Sequence, residues 1–487
     1  MDSSNRPARS VSNNKTAAVA WFAAVPLMVL CGCRPSLPPG ASQERPNFVI
    51  IFHDDLGYGD TAPFGNRTHR TPSLDRMAAE GIKLTSFYVA SGLCTPSRAA
   101  LMTACYPRRV GMHVNAAGKF VLFPGDQSGL NPDEVTLAEI LKTRGYSTAA
   151  VGKWHLGDQA PFLPVRHGFE YYFGIPYSND MGKHYPDWGY PPLPLMRNEA
   201  VIETEPDQNL LTGRYTAEAI RFMTEHRTRP FFLYLAHSMP HDPAHAGAGF
   251  RGKSAHGIYG DTIEELDWST GQILDALKRL ELDDRTLVVL TSDNGAPRRW
   301  GGSNAPLRGF KGSTWEGGMR VPCLARWPGK IPRGTVSDQM VTSMDLLPTL
   351  AGLGGAAVPG ARILDGRDIW PILSGQPGAR TPHDRFFYYF MGDLEAVRSG
   401  KWKLHLGHRP PNSTDRVVQD PELYDLEADL GETTTLAAKH PDVVRRLMAL
   451  AEEARDELGD DRTGKKGTRT RPAGFLERAA PLTHDPR

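Results

Sequence analysis

The chain has 487 residues, of which 40% are hydrophobic and 23% are charged, as in an ordinary globular protein. This length exceeds that of one average domain and predicts one large and one smaller domain. The formal net charge of +1 lacks the basic excess of a nucleic-acid-binding protein and argues against that class.

The first residues indicate an export segment that lies outside the fold. Basic residues precede the apolar run TAAVAWFAAVPLMVL, which is shorter than a membrane span and typical of a signal peptide. We predict a signal peptide over 1–33 and a proline-rich tether over 34–45. The run ends in LCGC, which resembles a bacterial lipoprotein cleavage site with Cys33 as the lipidated residue and lipid anchor; plain secretion is the alternative. Both interpretations predict an exported protein of the periplasm or cell envelope.

Apolar runs of strand length then alternate with helical patterns. Strands are predicted at 47–52, 146–151, 230–236 and 285–291, and helices at 137–145 and 261–280. The alternation predicts an α/β fold with a large, mostly parallel sheet and helices on both faces. We assign residues 46–375 to this large domain.

The pattern changes after residue 375. Short strands are predicted at 386–390, 396–400, 401–406 and 422–426, followed by a helix at 440–458. These elements predict a C-terminal α+β subdomain over 376–460, a small antiparallel sheet with one packing helix. The polar stretch 461–487 is predicted to be disordered.

Three of the five cysteines lie outside the export segment, at Cys94, Cys105 and Cys323. An odd number of cysteines in an exported protein requires an explanation for the unpaired one. A Cys105–Cys323 disulfide and two small buried thiols both remain open at this point.

Each of four predicted strands is followed by acids, bases or amides. The residues concerned are His53, Asp54 and Asp55, then Lys153 and His155, then His237 and His241, then Asp293 and Asn294. Ligands of open α/β sheets bind at the carboxyl ends of the strands, so we expect these side chains to converge there. A polar turn after one strand means little, but four such turns indicate a site. We assign only His237 a structural role.

The types of side chain indicate the chemistry. Asp54, Asp55, Asp293 and Asn294 offer hard oxygen ligands, which suit Ca²⁺ or Mg²⁺. Positive charge and proton donors come from Arg98, Lys153, His155, His241 and Lys311. A cation with several basic side chains favours a tetrahedral oxyanion ester, either sulfate or phosphate. The plainer alternatives are that Asp54 and Asp55 cap a helix and that Lys311 is a solvated loop residue.

The stretch CTPSRAALMT is predicted to be a helix that begins at Cys94. The free N–H groups and the dipole of a helix N-terminus favour negative charge, which would make a thiolate nucleophilic. However, a hard cation does not assist attack by a soft sulfur, and an oxygen nucleophile would fit the metal ligands better. The residues alone leave this mismatch open.

The same stretch resembles the C-x-P-S-R signature of the type I sulfatases, in which a maturation enzyme oxidises the cysteine to formylglycine. Further matching motifs, in family order, are DDLGYGD, GKWHLG, SMPHDP, TSDNG, FKGSTWEGGMRVP and ELYDLEADLGETTTLA. The run FLPVRHGFEYYFGIPYSND resembles the arylsulfatase A and N-acetylgalactosamine-6-sulfatase branch. The resemblance spans about residues 45–455 and implies an alkaline-phosphatase-like fold.

The resemblance also implies a mechanism for hydrolysing a sulfated carbohydrate or aryl sulfate. Formylglycine from Cys94 would form a gem-diol that joins Asp54, Asp55, Asp293 and Asn294 on Ca²⁺, with Mg²⁺ as second choice. One hydroxyl, its proton taken by Asp293, would attack sulfur and give a covalent sulfo-enzyme. The resemblance implies that the sulfate group is bound by Lys153, Ser178, His241 and Lys311. His241 or Lys311 would protonate the leaving alcohol. His155 would promote the release of sulfate, and Arg98 would support the diol.

One departure from the family pattern is Ala104, which replaces a glycine in the stretch that the maturation enzyme recognises. We expect less efficient conversion of Cys94 but no cost to the fold, because alanine suits a helix. Two alternatives remain for the function: a phosphonate or phosphate ester hydrolase of the same superfamily, and an inactive surface lipoprotein that binds sulfated glycans.

Overall fold

The structure, a computed structural model, describes residues 45–299, 301–360, 362–407 and 420–482. The predicted signal peptide, Cys33 and nearly all of the predicted tether lie outside these residues. Within the described ranges, no helix combines the length and the apolar character needed to cross a bilayer.

The strands follow in chain order. They are β1 (Asn47–His53), β2 (Ile82–Leu84), β3 (Phe87–Tyr88), β4 (Ser128–Gly129), β5 (Ser147–Gly152), β6 (Tyr171–Gly174), β7 (Pro194–Arg197), β8 (Ala200–Thr204), β9 (Phe231–Ala236), β10 (Thr286–Ser292), β11 (Cys323–Arg326), β12 (Thr335–Ser337), β13 (Val341–Thr342), β14 (Phe386–Phe390), β15 (Asp393–Ser399), β16 (Trp402–His405), β17 (Glu422–Asp425), β18 (Gly459–Asp460), β19 (Lys465–Lys466) and β20 (Gly474–Phe475).

The α-helices are α1 (Pro72–Glu80), α2 (Cys94–Thr103), α3 (Leu137–Lys142), α4 (Leu211–Glu225), α5 (Gly257–Arg279), α6 (Glu316–Met319), α7 (Leu346–Leu353), α8 (Trp370–Leu373) and α9 (Pro441–Leu458).

Ten strands form the large sheet, in the order β12-β2-β11-β10-β1-β9-β5-β6-β7-β8. Its central strands β10, β1, β9, β5 and β6 run parallel, and antiparallel pairs occur only toward the edges. The four strands predicted for the large domain are β1, β5, β9 and β10, all in this central group. The predicted mostly parallel sheet is therefore confirmed.

Both faces of the large sheet are covered, as the unbroken apolar strands require. Alternation along β1 directs Phe48, Ile50 and Phe52 into one hydrophobic core and Val49 and Ile51 into another. The first core includes helices α2, α3 and α7, and the second includes α1, α4 and α5. Helices therefore lie on both faces, as predicted.

The C-terminal sheet has four antiparallel strands in the order β14-β15-β16-β17. Helix α9 packs against β15 and β16. This confirms the predicted small antiparallel sheet with one packing helix. The described residues cluster into one compact unit, so this sheet and the large one share a single body.

A cluster of buried charges joins the α6 region to the C-terminal sheet. We call it the junction cluster, and its residues are Tyr88, Glu316, Arg320, Arg398, Lys403 and Glu432. The Lys403 Nζ atom lies 3.0 Å from a Glu316 carboxylate oxygen and 2.8 Å from a Glu432 carboxylate oxygen. Lys403 also donates to the carbonyl of Thr314 at 2.8 Å, and so fixes the loop that precedes α6.

Residues 461–482 differ from the predicted disorder. Strand β19 pairs with β18, and β20 pairs with β4 far back in the chain. The Arg471 guanidinium contacts the Glu134 carboxylate at 2.6 Å. Polar residues are stabilised here by partners more than three hundred positions away, which composition cannot reveal. Residues 483–487 lie outside the described ranges.

The remaining cysteines form no disulfide. Cys94, Cys105 and Cys323 are all buried free thiols, so the Cys105–Cys323 pairing left open above does not occur. The Cys105 thiol instead donates to the carbonyl of Ile363 at 3.4 Å. Cys105 and Cys323 act as small buried side chains within one hydrophobic core.

Candidate active site

Two neighbouring strands bring the predicted acids together. In the parallel pairing of β1 with β10, His53 lies opposite Ser292, so the residues after each strand meet. The backbone N–H of Asp55 donates to Asp293 Oδ1 at 3.0 Å. Asp55 has φ 70°, a left-handed conformation that aspartate tolerates better than most residues. This turn directs the Asp54 and Asp55 carboxylates toward the same point.

The predicted metal ligands form a buried group of oxygen atoms. The Asn294 Nδ2 atom donates to Asp55 Oδ1 at 2.7 Å, so the amide oxygen of Asn294 points away from Asp55. Among the described residues, Asp54 Oδ1 and Asn294 Oδ1 are buried without a hydrogen-bond partner. Unpartnered buried oxygens are costly unless something else satisfies them. The donor set therefore fits a hard cation such as Ca²⁺ or Mg²⁺.

Arg98 fixes this group from helix α2. Its guanidinium donates to Asp293 Oδ2 from Nε at 3.0 Å and from Nη2 at 2.8 Å, and to the carbonyl of Lys153 at 2.9 Å. Burial and the nearby Asp54 carboxylate raise the pKa of Asp293, against the opposing effect of Arg98. Burial alone would also raise the pKa of Asp54. The positive charges of Lys153, His241 and Arg98 outweigh this effect and lower the pKa of that carboxyl.

The predicted lysines reach the same carboxylates from other elements. Lys153 follows β5, and its Nζ atom lies 2.6 Å from Asp54 Oδ2 and 3.0 Å from Ser178 Oγ. Lys311 Nζ lies 2.8 Å from Asp55 Oδ2. Lys311 is thus paired with a buried acid, and the interpretation as a solvated loop residue is wrong.

The two predicted active-site histidines differ in their surroundings. His241 Nε2 lies 3.7 Å from Asp55 Oδ2, and its Nδ1 lies 2.6 Å from the carbonyl of Asp242. His155 Nε2 lies 3.0 Å from the carbonyl of Leu122, to which a protonated Nε2 donates. Burial and the Lys153 ammonium lower the pKa of His155. His155 is therefore neutral, with Nδ1 unprotonated and without a partner among the described residues.

Cys94 is the first residue of helix α2 and is buried. Burial raises the pKa of its thiol in spite of Lys153 and Lys311. The thiolate expected from the helix N-terminus is therefore disfavoured, because the loss of solvation dominates.

The other end of helix α2 corrects the expectation for Ala104. This residue is the C-cap of the helix and has φ 57° and ψ 27°, a left-handed conformation. Glycine adopts such a conformation readily, whereas alanine does so at a cost of about 1–2 kcal/mol. The fold therefore bears a cost here that a helix-interior position would not impose.

A cavity of about 470 Å³ opens over the site. Of the predicted residues, Cys94, His155, Ser178, His241 and Lys311 line it. The other predicted residues, which are Asp54, Asp55, Arg98, Lys153, Asp293 and Asn294, are buried and contact one another or the lining residues. The structure therefore brings together all eleven side chains named from the sequence.

His237 lies apart from this group, as its predicted structural role requires. Its ring stacks on His53 with centroids 5.5 Å apart, and Nε2 lies 3.1 Å from Ser269 Oγ. The residues that sequence reasoning missed are the carbonyls that orient the histidines, the cavity-lining Asp180, and the aromatic lining residues Phe120, Phe123, Trp188 and Tyr190. The only signal for the aromatic residues is the local richness of segments such as YPDWGY in rings.

Family models match most of the chain. The model described as Sulfatase matches residues 46–356, and the one described as C-terminal region of aryl-sulfatase matches residues 381–473. The fold and site are those of a sulfuric ester hydrolase. The chain belongs to the sulfatase family.

Individual relatives agree with this assignment. The chain is 40% identical to arylsulfatase A of Homo sapiens, over 85% of this chain and 89% of the relative. It is 39% identical to steryl-sulfatase of Mus musculus, over 86% of this chain and 84% of the relative. It is 40% identical to N-acetylgalactosamine-6-sulfatase of Canis lupus familiaris, over 80% of this chain and 76% of the relative. The predicted arylsulfatase A and N-acetylgalactosamine-6-sulfatase branch is confirmed, with steryl-sulfatases equally similar.

Solved structures share the fold. The crystal structure of Ps i-CgsB has a TM-score of 0.74 and 31% identity, covering 84% of this chain and 92% of that one. The same protein is also known in complex with k-i-k-neocarrahexaose. Phosphonate monoester hydrolase of Agrobacterium radiobacter, at a TM-score of 0.58 and 20% identity, shares the fold alone, over 84% of this chain and 94% of that one.

Proposed function

We propose that this sulfatase acts on sulfated carbohydrates or aryl sulfates through a formylglycine made from Cys94 and a bound Ca²⁺, and that residue 94 carries the sulfate group before its release. One observation supports this most directly. Cys94 lines the cavity beside buried oxygen atoms that have no hydrogen-bond partner among the described residues. A thiol gains nothing from those oxygens, whereas an oxygen nucleophile would share a cation with them.

Asp54, Asp55, Asp293 and Asn294 would hold the ion. Three carboxylates and an amide suit Ca²⁺ better than Mg²⁺, which usually binds through one or two carboxylates and keeps several waters. When bound, the ion supplies positive charge that favours an ionised hydroxyl at residue 94 and stabilises the transition state.

The chain's own side chains support proton transfer and sulfate binding. Lys153, Ser178 and Lys311 present donors to the oxygens of a sulfate ester. His241 and Lys311 line the cavity where the leaving alcohol must depart, and either can protonate it. His155 is neutral with a free Nδ1 lone pair, which suits it to remove the proton of a hydroxyl at residue 94.

The sulfated glycan class is supported by one neighbour. Ps i-CgsB is known in complex with k-i-k-neocarrahexaose, and it shares 30% identity and a TM-score of 0.72 in that complex. We further propose export to the periplasm or cell envelope, since the N-terminal residues have the pattern of a signal peptide and a lipoprotein cleavage site at Cys33.

The test is the rate of nitrophenyl sulfate hydrolysis compared with that of nitrophenyl phosphate. Protein co-produced with a formylglycine-generating enzyme is expected to prefer the sulfate, and Cys94→Ala protein is the control for background turnover. A large preference for phosphate would favour the phosphate or phosphonate ester hydrolase. Turnover of neither ester, with Cys94 unmodified in protein from the native host, would favour the inactive glycan-binding alternative.

A further inference from the structure

The outer part of the active-site cavity is lined by aromatic rings. We call Phe120, Phe123, Trp188 and Tyr190 the aromatic wall. The rings of Phe123 and Tyr190 are stacked with centroids 6.2 Å apart, and Trp188 meets Tyr190 edge-on at 5.9 Å. Phe120 is 46% exposed and Trp188 is 53% exposed. Large apolar side chains exposed together around a cavity mark a binding surface.

Asp180 adds one acidic group beside this wall. It lines the cavity, and its buried Oδ1 atom accepts no hydrogen bond from the described residues. The other ionisable side chains of the lining are Cys94, His155, His241 and Lys311, which the proposed function assigns to residue 94 and the sulfate, and Tyr190 of the wall. Among the described residues, those that line the outer cavity offer apolar ring faces and a carboxylate, and none of them is a basic side chain that could balance a second anion. Lys119 lies over the Phe123 ring at 5.2 Å and Lys183 donates to the carbonyl of Tyr190, but neither lysine lines the cavity.

We propose that the aromatic wall and Asp180 form the subsite for the leaving alcohol, and that it takes an uncharged, hydroxylated ring such as a neutral pyranose. This inference rests on the proposed function. The apolar face of a sugar ring can pack against an aromatic ring, and a hydroxyl can donate to the carboxylate. A plain aryl alcohol would leave Asp180 unpaired. A sugar with a neighbouring carboxylate or second sulfate would place like charge beside Asp180.

The first test compares sulfate release from singly sulfated methyl galactosides and from their disulfated counterparts. The wild-type enzyme is expected to show a kcat/KM about tenfold higher for a singly sulfated galactoside, because a second anion meets Asp180. Asp180→Asn keeps the side-chain shape, removes the charge and is expected to reduce this ratio about fivefold or more. Asp187→Asn, an exposed position in the same loop, is the matched control and should leave the ratio unchanged.

The second test removes part of the wall. Trp188→Ala is expected to raise KM for the singly sulfated galactoside about threefold to tenfold with kcat unchanged, since stacking stabilises ground and transition states alike. Inhibition by inorganic sulfate should not change, because the sulfate contacts remain. Trp268→Ala is the control, a tryptophan that is 37% exposed and packs on Phe250. Equal KM values for the Trp188 and Trp268 variants would overturn the inference, as would a wild-type preference for the disulfated sugar.

Failure of the proposed function can be distinguished from failure of this inference. If matured protein releases no sulfate from any ester, binding of the same galactosides to Cys94→Ser protein is measured by calorimetry. The subsite predicts tighter binding of the singly sulfated galactoside, with the difference reduced in the Cys94→Ser, Asp180→Asn double variant. Equal affinities for the two sugars would be sufficient to reject the subsite without affecting the proposed function.

Discussion

The active-site charges and the junction cluster are both largely buried, but they differ in how completely they are hydrogen-bonded. In the junction cluster, one Glu316 oxygen contacts Lys403 and Tyr388 and the other contacts Tyr88 and Arg320. In the active site, Asp54 Oδ1, Asn294 Oδ1 and His155 Nδ1 have no hydrogen-bond partner among the described residues, although Arg98 Nη2 lies 3.7 Å from Asp54 Oδ1.

The two groups also differ in their access to ligands. The active-site charges lie against the cavity of about 470 Å³, whereas no junction residue lines it. Buried ion pairs by themselves are weak indicators of function, since a structural network needs them too. Polar atoms that lack a hydrogen-bond partner and lie beside a cavity therefore distinguish the reactive site of this protein from its structural cluster.

The largest expected effect separates activity from stability in the active site. Cys94→Ala should reduce sulfate ester turnover about 10⁴-fold or more, because the nucleophile is lost. Its free energy of unfolding should change by less than about 2 kcal/mol, since only one small buried atom is removed. Turnover and denaturant unfolding are measured together. Cys323→Ala, another buried free thiol, is the control and should keep its activity; retained turnover in the Cys94 variant would overturn the mechanism.

The junction cluster should show the opposite behaviour. Lys403→Met leaves the Glu316 and Glu432 carboxylates buried without their shared ammonium, and should lower the free energy of unfolding by about 3–5 kcal/mol. Burial already raises the pKa of Glu432 to about 7, against the opposing effect of Lys403. Adding Glu432→Gln should therefore recover part of the loss. A Lys403→Met protein as stable as wild type but inactive would show that this cluster serves activity and not stability.

Metal binding should stabilise the protein through the active-site carboxylates and not through the junction cluster. Ca²⁺ at a hundredfold excess over its Kd should raise the free energy of unfolding by about 2.7 kcal/mol, with a smaller effect from Mg²⁺ at equal concentration. Thermal unfolding with and without a chelator measures this effect. Asp54→Asn should abolish the stabilisation, and Lys403→Met should retain it. An equal response in the Asp54 variant and the wild type would place the ion elsewhere.

The smallest effect concerns the helix that carries Cys94. Ala104→Gly relieves a left-handed alanine, a gain of about 1–2 kcal/mol, but removes a buried methyl group worth about 0.8 kcal/mol. The net stabilisation should be at most about 1 kcal/mol in denaturant unfolding. Ala100→Gly, inside the same helix, should instead destabilise the protein by about 1 kcal/mol or more. Effects of the same sign at both positions would contradict the assigned conformation.

The sequence alone predicted the strands whose place in a parallel sheet follows from a local apolar pattern. Because β1, β5, β9 and β10 could be read from apolar runs, the residues after them could be assigned to one edge. Contacts that join distant segments could not be predicted. Examples are the pairing of Arg471 with Glu134, the Lys403 contacts of the junction cluster, and the irregular loops that build the aromatic wall.

The conformation of Ala104 was missed for a related reason. Alanine favours a helix interior, but the helix ends one residue earlier, where the chain turns to let the Ala104 carbonyl accept from the N–H groups of Asp365 and Gly366. Local propensity is overridden here by a partner outside the segment.

The proposed mechanism requires that residue 94 acts as formylglycine and not as a thiol. The most direct measurement is the mass of the proteolytic peptide that contains residue 94, from active protein made with a maturation enzyme. We expect a peptide that has lost one sulfur and two hydrogen atoms and gained one oxygen. An unmodified cysteine in protein that turns over sulfate esters would overturn the proposed mechanism.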